Sequence, residues 1–259
     1  VYNRLVRDFE LEPQAMKITT YVDAPPGSGL GSSSTLVVAI LGAFVEALKL
    51  PLGEYDIAQL AFDIERKDLA MAGGKQDQYA ATFGGVNFME FYGEKVIVNP
   101  LRIKNYYLDE LQFNTLLFYT ETSRLSSKII ESQVKNVKEK SEKSIEAMHK
   151  LKEQAIRMKE AILKGELNKI GEILDFGWHY KKEMASGITN PMIDKLYETA
   201  KNAGATGGKI SGAGGGGFMT IYCPGNTRYS VIDALSGFNG SINRFEFTKN
   251  GLTSWSAIF

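Results

Sequence analysis

Apolar and polar positions in the first hundred residues predict a mixture of strands and helices. Residues 17–23 alternate like a strand, and a glycine-rich turn separates them from an apolar run over residues 32–49. That run has no polar face, which is typical of a helix buried inside a domain. Residues 51–69 carry apolar side chains at helical spacing, and residues 86–103 alternate like a β-hairpin with its turn at 92–94.

The pattern changes near residue 110. Residues 114–121 predict a strand, and residues 126–164 space apolar side chains three or four apart among many charged ones. This spacing predicts a long helix or a pair of helices with one solvated face. The rest of the chain predicts two helices, two strands around a glycine loop, and a closing helix and strand, over residues 166–180, 190–204, 204–223, 227–237 and 242–249.

The order of these elements predicts an α+β fold with two-layer α/β packing. We expect two domains, residues 1–110 and 111–259, because the composition of elements changes at that point. The chain begins at Val1 inside a predicted helix and not at a methionine. We therefore expect the first domain to lack its initial segment.

Composition and charge narrow the function classes. At 44% hydrophobic and 23% charged residues the chain matches ordinary globular proteins. Thirty basic and thirty acidic residues cancel, which disfavours nucleic acid or a membrane surface as a partner. No apolar run reaches the roughly 20 residues that cross a bilayer, so we expect a cytoplasmic protein. The single cysteine, Cys223, excludes an internal disulfide, and His149 and His179 lie too far apart to favour a histidine metal site.

A glycine-rich loop over residues 25–34, PPGSGLGSSS, lies between a predicted strand and the predicted buried helix. Free N–H groups and the positive end of the helix dipole point into such a loop. Gly27, Gly29 and Gly31 allow the backbone to approach an anion closely. No lysine follows as in a Walker A loop, and the glycine spacing departs from the dinucleotide fingerprint. The loop is a phosphate cradle or a helix start that only turns tightly.

A second glycine loop over residues 211–217, SGAGGGG, lies between two predicted strands. A loop without side chains allows a ligand or the first glycine loop to approach closely, and it is also typical of a plain tight hairpin.

Two acids come between the loops: Glu65 at the end of a predicted helix, and Asp77 in a predicted loop between Gly74 and Gly84. Such carboxylates are either solvated or directed into a cleft. Phosphoryl transfer needs a metal ion and often a base, and a phosphate cradle with two acids would meet both needs.

The two glycine loops resemble conserved motifs of one enzyme family. PPGSGLGSSS is similar to the second motif of the GHMP kinases, and KISGAGGGGFM is similar to their third motif. Within that family, IERKDLAMAGGKQDQYAATFGGVNFMEF and VNPLRIKN resemble the bacterial D-glycero-D-manno-heptose 7-phosphate kinases. The resemblance implies a ribosomal protein S5 domain 2-like first domain and a ferredoxin-like second domain with extra helices. The family's first motif, which contacts the sugar, has no counterpart in this chain.

The resemblance also implies roles for individual residues. ATP phosphates would be bound by residues of both motifs: Gly27, Gly29, Leu30, Gly31, Ser32, Ser33, Ser34, Ser211, Gly212, Ala213 and Gly214. Ser33 and Glu65 would hold Mg²⁺, and Asp77 would orient and deprotonate the acceptor hydroxyl. The acceptor would be a sugar phosphate, most closely the heptose 7-phosphate at its anomeric hydroxyl.

Several alternatives stay open at this point. Within the family, the acceptor could be galactose, fucose or a mevalonate, or the chain could be a decarboxylase that first phosphorylates its substrate. A ligand sensor that keeps the fold without turnover is the alternative outside enzymes. A phosphate on the sugar would need cations, for which Lys75 beside Asp77, Arg102 and Lys104 are candidates. The oligomeric state has no signal in the sequence.

Overall fold

The computed structural model describes residues 1–121, 126–139 and 141–257, and the chain divides into two compact units. The first unit comprises Val1–Pro25, Gly31–Pro100 and the segment from Thr248 onward, and the second comprises Pro26–Leu30 and Leu101–Phe247. This division differs from the expected change at residue 110, because the C-terminal segment returns to the first unit through backbone hydrogen bonds such as that from Leu252 N to Thr82 O (3.0 Å). The domain limits 1–110 and 111–259 stay a prediction.

The first unit contains four α-helices and a two-stranded antiparallel hairpin among its described residues. Its elements are α1 (Tyr2–Asp8), α2 (Ser32–Leu48), α3 (Glu54–Asp63), which continues into a π-helical turn (Ile64–Asp68), α4 (Gln76–Phe83), β1 (Asn87–Phe91) and β2 (Val96–Pro100). The hairpin confirms the predicted alternation over residues 86–103. A core of Leu5, Val38, Leu41 and Phe44 joins α1 and α2.

The expectation that α2 is buried all round is wrong for one stripe of the helix. Val38, Leu41 and Phe44 face the core, whereas Thr35, Ala39, Ala43 and Ala47 recur every fourth residue on an exposed face. Alanine methyl groups expose little apolar area, so a helix can present them to solvent at small cost. An all-apolar pattern therefore does not distinguish a fully buried helix from one with an alanine-rich outer face.

Residues 17–23 do not form the predicted strand. The segment has no ladder hydrogen bonds among the described residues, and its side chains are exposed, with Tyr21 86% accessible. A strand is stable only beside a partner strand, and alternation in the sequence cannot supply one. Asp77 also departs from expectation, because it lies in the first turn of α4 and not in a loop.

The second unit contains the remaining elements in the order helix, strand, four helices, two strands, helix, strand. They are α5 (Asn105–Asn114), β3 (Thr115–Tyr119), α6 (Ser126–Lys138), α7 (Glu142–Lys164), a 3₁₀ turn (Leu167–Lys169), α8 (Ile170–Glu183), α9 (Pro191–Asn202), β4 (Gly207–Ile210), β5 (Phe218–Tyr222), α10 (Thr227–Leu235) and β6 (Ser241–Asn243). The charged stretch over residues 126–164 is thus a helix pair, and residue 140 of that stretch is outside the described residues.

Four strands of the second unit form an antiparallel sheet in the order β4-β5-β3-β6. Taken along the chain, this is the strand order of a ferredoxin-like sandwich with extra helices, and it confirms the α+β expectation. One sheet face carries Leu116, Phe118, Ile210, Met219 and Ile221 into a large apolar core. No helix in the described part of the chain is long and apolar enough to cross a membrane.

The closing strand is shorter than predicted. β6 pairs with β3 over Ser241–Asn243 alone. Farther on, the N–H of Phe247 donates to the side chain of Gln112 at 2.9 Å, and the chain then continues in the first unit. The predicted strand over residues 242–249 therefore pairs only as far as Asn243.

Candidate active site

In the first unit, the start of α2 has the features of an anion site. Gly31 precedes the helix with φ 72°, in the left-handed region that glycine tolerates. No side chain caps this end within the described chain, so the first-turn N–H groups of Ser32, Ser33 and Ser34 have no capping acceptor. Free N–H groups together with the positive end of the dipole favour a bound anion.

Glu65 lies beneath this helix start and is almost fully buried, with 1% of its surface accessible. Ser33 Oγ donates to Glu65 Oε1 at 2.7 Å, and Ser34 Oγ donates to Glu65 Oε2 at 2.7 Å. A buried carboxylate is stable only when hydrogen bonds or charges satisfy it. The serines that follow the glycine loop therefore anchor the acid in place.

Two residues near Glu65 are missing from the sequence-based site. Gln78 Nε2 donates to Glu65 Oε2 and, at 3.0 Å, to Ser34 Oγ. Arg66 lies with a guanidinium nitrogen 4.0 Å from Glu65 Oε2, and its Nε donates to Gly74 O at 3.3 Å. In the sequence, Arg66 follows Glu65 and Gln78 follows Asp77, and this adjacency is the only signal that could have indicated them. Glutamine and arginine are too common at helix ends for adjacency alone to identify them as site residues.

Asp77 lies against the glycine that starts α2. A Cβ atom added at Gly31 would lie 3.0 Å from Asp77 Cγ, so a larger residue would push this carboxyl aside by a few tenths of an ångström. Desolvation raises the pKa of Asp77, the positive charge of Arg66 opposes the rise, and the charge of Glu65 adds to it. A carboxyl with a raised pKa is a better proton acceptor than an ordinary aspartate. Two residues before it, Lys75 places its Nζ 4.9 Å from the centre of the Phe62 ring.

In the second unit, the two glycine loops pack backbone against backbone. A Cβ at Gly29 would lie 2.7 Å from Ser211 O, and one at Gly212 would lie 2.9 Å from Gly29 Cα. The N–H of Phe218 donates to Ser28 O at 3.0 Å. This is the close approach of the two loops that the sequence left open beside a plain hairpin.

The other predicted residues of these loops vary in environment. Gly27 has φ 73°, and Leu30 is 42% exposed. Ala213 O accepts a hydrogen bond from Gln133 at 3.5 Å, and Gly214 packs on the backbone of Ile188. The structure thus brings Gly29, Ser211 and Gly212 together in the second unit. In the first unit it gathers Gly31, Ser33, Ser34, Glu65 and Asp77.

The residues present fit a nucleotide phosphate and Mg²⁺. In the first unit, no side chain caps the start of α2 among the described residues. In the second unit, the buried hydroxyl of Ser28 has no hydrogen-bond partner there. Ser33 and Glu65 offer hydroxyl and carboxylate oxygens, the donor class that Mg²⁺ prefers. Within the described chain no group of three His, Cys, Asp or Glu side chains could hold a metal on its own. Phosphate oxygens would therefore have to complete a Mg²⁺ shell.

Comparison with known proteins decides the family. The model of the GHMP kinases N terminal domain matches residues 1–85, and that of the GHMP kinases C terminal domain matches residues 158–240. The chain belongs to the GHMP kinase family. The chain is 50% identical over 256 residues to the D-glycero-alpha-D-manno-heptose 7-phosphate kinase of Campylobacter jejuni, covering 98% of this chain and 75% of that protein.

Solved structures agree with the sequence comparison. A D-glycero-D-manno-heptose 1-phosphate kinase from Bacteroides thetaiotaomicron superposes with a TM-score of 0.81 at 44% identity, covering 100% of this chain and 73% of that one. A sugar kinase structure from Campylobacter jejuni superposes with a TM-score of 0.78 at 46% identity, covering 98% and 73%. This GHMP kinase is therefore a phosphotransferase, and its family implies ATP as the phosphoryl donor.

Proposed function

We propose that this GHMP kinase transfers the γ-phosphoryl group of ATP to the anomeric hydroxyl of D-glycero-D-manno-heptose 7-phosphate in the cytoplasm. The similar proteins support a heptose phosphate as the acceptor, although their names place its phosphate at position 7 in one case and position 1 in the other. The segments IERKDLAMAGGKQDQ and VNPLRIKN favour the 7-phosphate.

The single observation that carries the proposal is the position of Asp77 in the first unit. Its carboxyl lies against Gly31 at the start of α2, which no side chain caps among the described residues. In the first turn of the same helix, Ser33 donates a hydrogen bond to the buried Glu65. A proton acceptor and an anion-binding helix end are the two parts that phosphoryl transfer to a hydroxyl needs from a protein.

The proposed reaction assigns each group one task. The acceptor oxygen forms a bond to the γ-phosphorus while the bond from that phosphorus to the β–γ bridging oxygen breaks, and ADP leaves. The hydroxyl proton passes to the Asp77 carboxylate. The N–H groups of Ser32, Ser33 and Ser34 stabilise phosphate charge at the start of α2. When bound, Mg²⁺ would neutralise phosphate oxygens, and Ser33 and Glu65 are the side chains that would hold it.

The test is a panel of acceptors with the full-length protein, ATP and Mg²⁺. We expect ³¹P NMR to show a new anomeric phosphate on heptose 7-phosphate, and no turnover of heptose 1-phosphate, galactose, fucose, mevalonate or phosphomevalonate. Asp77→Asn should abolish most of the signal, whereas the exposed-surface control Asp109→Asn should not change it.

The other outcomes identify the alternatives. Turnover of a different panel member would assign that substrate, and release of CO₂ from a phosphorylated product would indicate a decarboxylase. Binding of a sugar phosphate without any turnover by the wild-type protein would support a ligand sensor and contradict the proposal.

A further inference from the structure

Two lysines of the second unit lie beside the glycine loop 211–217, and neither has an acidic partner among the described residues. Lys209 is the third residue of β4, opposite Thr220 of β5. Its neighbours Gly208 and Ile210 belong to the other sheet face, where Ile210 is buried in the apolar core. Side chains two apart in a strand lie on one face, so Lys209 and Ser211 share the face opposite to that core. Ser211 Oγ lies 3.4 Å from Thr220 Oγ1 on that face.

Lys181 approaches the same place from α8. Its Nζ donates to Ile210 O at 3.2 Å and to Gly212 O, the carbonyl groups on either side of Ser211. Gly212 is also the residue that packs against Gly29. An ammonium group is thus bound to the backbone of the loop at the point where the two glycine loops meet.

Neither lysine has a counter-charge in the part of the chain that the structure describes. Across residues 1–121, 126–139 and 141–257, no carboxylate lies within ion-pair distance of Lys181 or Lys209, and Lys209 has no hydrogen-bond partner there. Desolvation lowers the pKa of both groups, and the charge of Lys209 helps to lower the pKa of Lys181 to about 7. Two desolvated like charges near each other are unfavourable, and the lowered pKa values are the consequence. A bound anion would offset this cost by pairing with the charged forms.

The surrounding groups indicate which anion fits. Gly212, Gly214, Gly215, Gly216 and Gly217 all have positive φ, a loop geometry that can turn N–H groups toward a bound oxyanion. The hydroxyls of Ser211 and Thr220 add neutral donors beside Lys209. Two ammonium groups with hydroxyl donors match a phosphate dianion, which carries more charge and more acceptor oxygens than a carboxylate.

We propose that Lys181 and Lys209 bind the oxygens of one phosphate group, carried either by the nucleotide or by the phosphorylated acceptor sugar. The inference rests on the proposed function, because that reaction supplies a phosphate on both substrates. Lys209 contacts the phosphate directly, while Lys181 contributes charge and holds the loop through Gly212. The sequence-based candidates Lys75, Arg102 and Lys104 did not include either residue.

The decisive variants are Lys209→Met and Lys181→Met, which keep an aliphatic side chain and remove the charge. Lys195→Met is the matched control, since Lys195 is an exposed lysine on α9 of the same unit. Loss of one charge-assisted hydrogen bond weakens binding by about 10- to 100-fold. We expect that rise in KM for either ATP or heptose 7-phosphate, confirmed as a Kd by calorimetry, with Lys195→Met unchanged. Lys209→Arg should recover most of the affinity.

The choice of ligand separates the two phosphate sources. If the sugar phosphate is bound, Lys209→Met should raise the KM for heptose 7-phosphate and leave the KM for ATP unchanged. If the nucleotide is bound, the Kd for ATP should rise and the Kd for heptose 7-phosphate should stay constant.

Two results would overturn the inference. One is Lys209→Met behaving like Lys195→Met with both ligands, and this variant decides even if Lys181→Met fails to fold. The other is that Lys181→Met weakens the binding of ATP and of heptose 7-phosphate equally while Lys209→Met changes neither. Lys181 would then only support the loop. An inactive wild-type protein would instead overturn the proposed kinase reaction, so the two failures are distinguishable.

Discussion

Asp77 and Glu65 are both carboxylates of the first unit, yet their surroundings differ. Glu65 is buried and receives hydrogen bonds from Ser33, Ser34 and Gln78, whereas Asp77 keeps part of its surface accessible although its carboxyl is partly desolvated against Gly31. Hydrogen bonds to both oxygens fix the orientation of a carboxylate, and one that keeps part of its surface accessible can take a proton from a substrate. Glu65 therefore suits a fixed ligand, and Asp77 suits a base.

Replacing Asp77 by asparagine tests its role as the base. The variant keeps the size of the side chain and loses the proton acceptor, so we expect kcat to fall by roughly 10² to 10⁴ with little change in ATP affinity. Because the transition state of phosphoryl transfer can be loose, a loss near the lower limit agrees with an orienting role. Steady-state kinetics measure the change in kcat, with Asp109→Asn as the control. Near wild-type turnover would remove Asp77 from the mechanism.

The acid limb of the pH profile should respond to Arg66. Its positive charge opposes the raised pKa of Asp77, so Arg66→Met should raise that pKa further. The proton acceptor would then be lost at a higher pH as the solution is acidified, and the acid limb of kcat/KM should move to higher pH than in the wild-type enzyme. Rates from pH 4 to 9 at saturating Mg²⁺ measure this shift. A shift in the opposite direction would contradict the assignment.

Glu65→Gln should affect both metal dependence and stability. The amide nitrogen would face the hydroxyl and amide donors that now bond to the carboxylate, which costs about 1–3 kcal/mol in a buried site. Loss of a charged ligand should also raise the Mg²⁺ concentration needed for half-maximal rate. A magnesium titration and urea unfolding measure the two effects, with the exposed Glu94→Gln as the control. An unchanged magnesium requirement would exclude Glu65 as a ligand.

At the scale of elements, glycines allow the two loops of the second unit to touch. Gly29 and Gly212 meet with their backbones, a distance that any side chain would prevent. Loops that lack side chains have little apolar area of their own, so neighbouring strands hold them in place. The bond from Phe218 N to Ser28 O ties the first loop to the start of β5.

Substituting Gly29 by alanine separates loop contact from backbone conformation. Gly29 (φ 77°) and Gly225 (φ 59°) are both left-handed, but a Cβ would meet Ser211 O at 2.7 Å in the first case and nothing within 4 Å in the second. Each alanine costs about 1 kcal/mol of backbone strain. We expect Gly29→Ala to lose an additional tenfold or more in kcat/KM for ATP, and Gly225→Ala to retain activity. Equal effects would mean that the loop contact does not matter.

At the scale of the whole molecule, ligand binding should be measurable as stability. A ligand that binds only the folded protein adds about 2.7 kcal/mol at a concentration of 100 times its Kd. For a chain of this size we expect Mg²⁺ with ATP to raise the melting temperature by several degrees. Thermal unfolding with and without nucleotide measures the shift, which Glu65→Gln should reduce. No shift at saturating ATP would contradict nucleotide binding.

Local sequence patterns alone determined most of the elements and the type of chemistry. The hairpin over residues 86–103, the helix pair over 126–164 and the strands around the second glycine loop follow from spacing and turn residues, which act over a few residues. The glycine loops with Glu65 and Asp77 met the needs of phosphoryl transfer, and the resemblance to GHMP kinase motifs added Ser33 and indicated a kinase. The family comparison confirms that class.

Tertiary structure decided what depends on residues far apart in the chain. Residues 17–23 alternate like a strand but have no partner among the described residues, and the outer face of α2 is exposed although its sequence is apolar. The burial of Glu65 and the unpaired charge of Lys209 likewise arise only when distant segments pack together. Periodicity specifies backbone conformation, whereas burial, charge pairing and sheet partners depend on which distant segments fill the space around a residue.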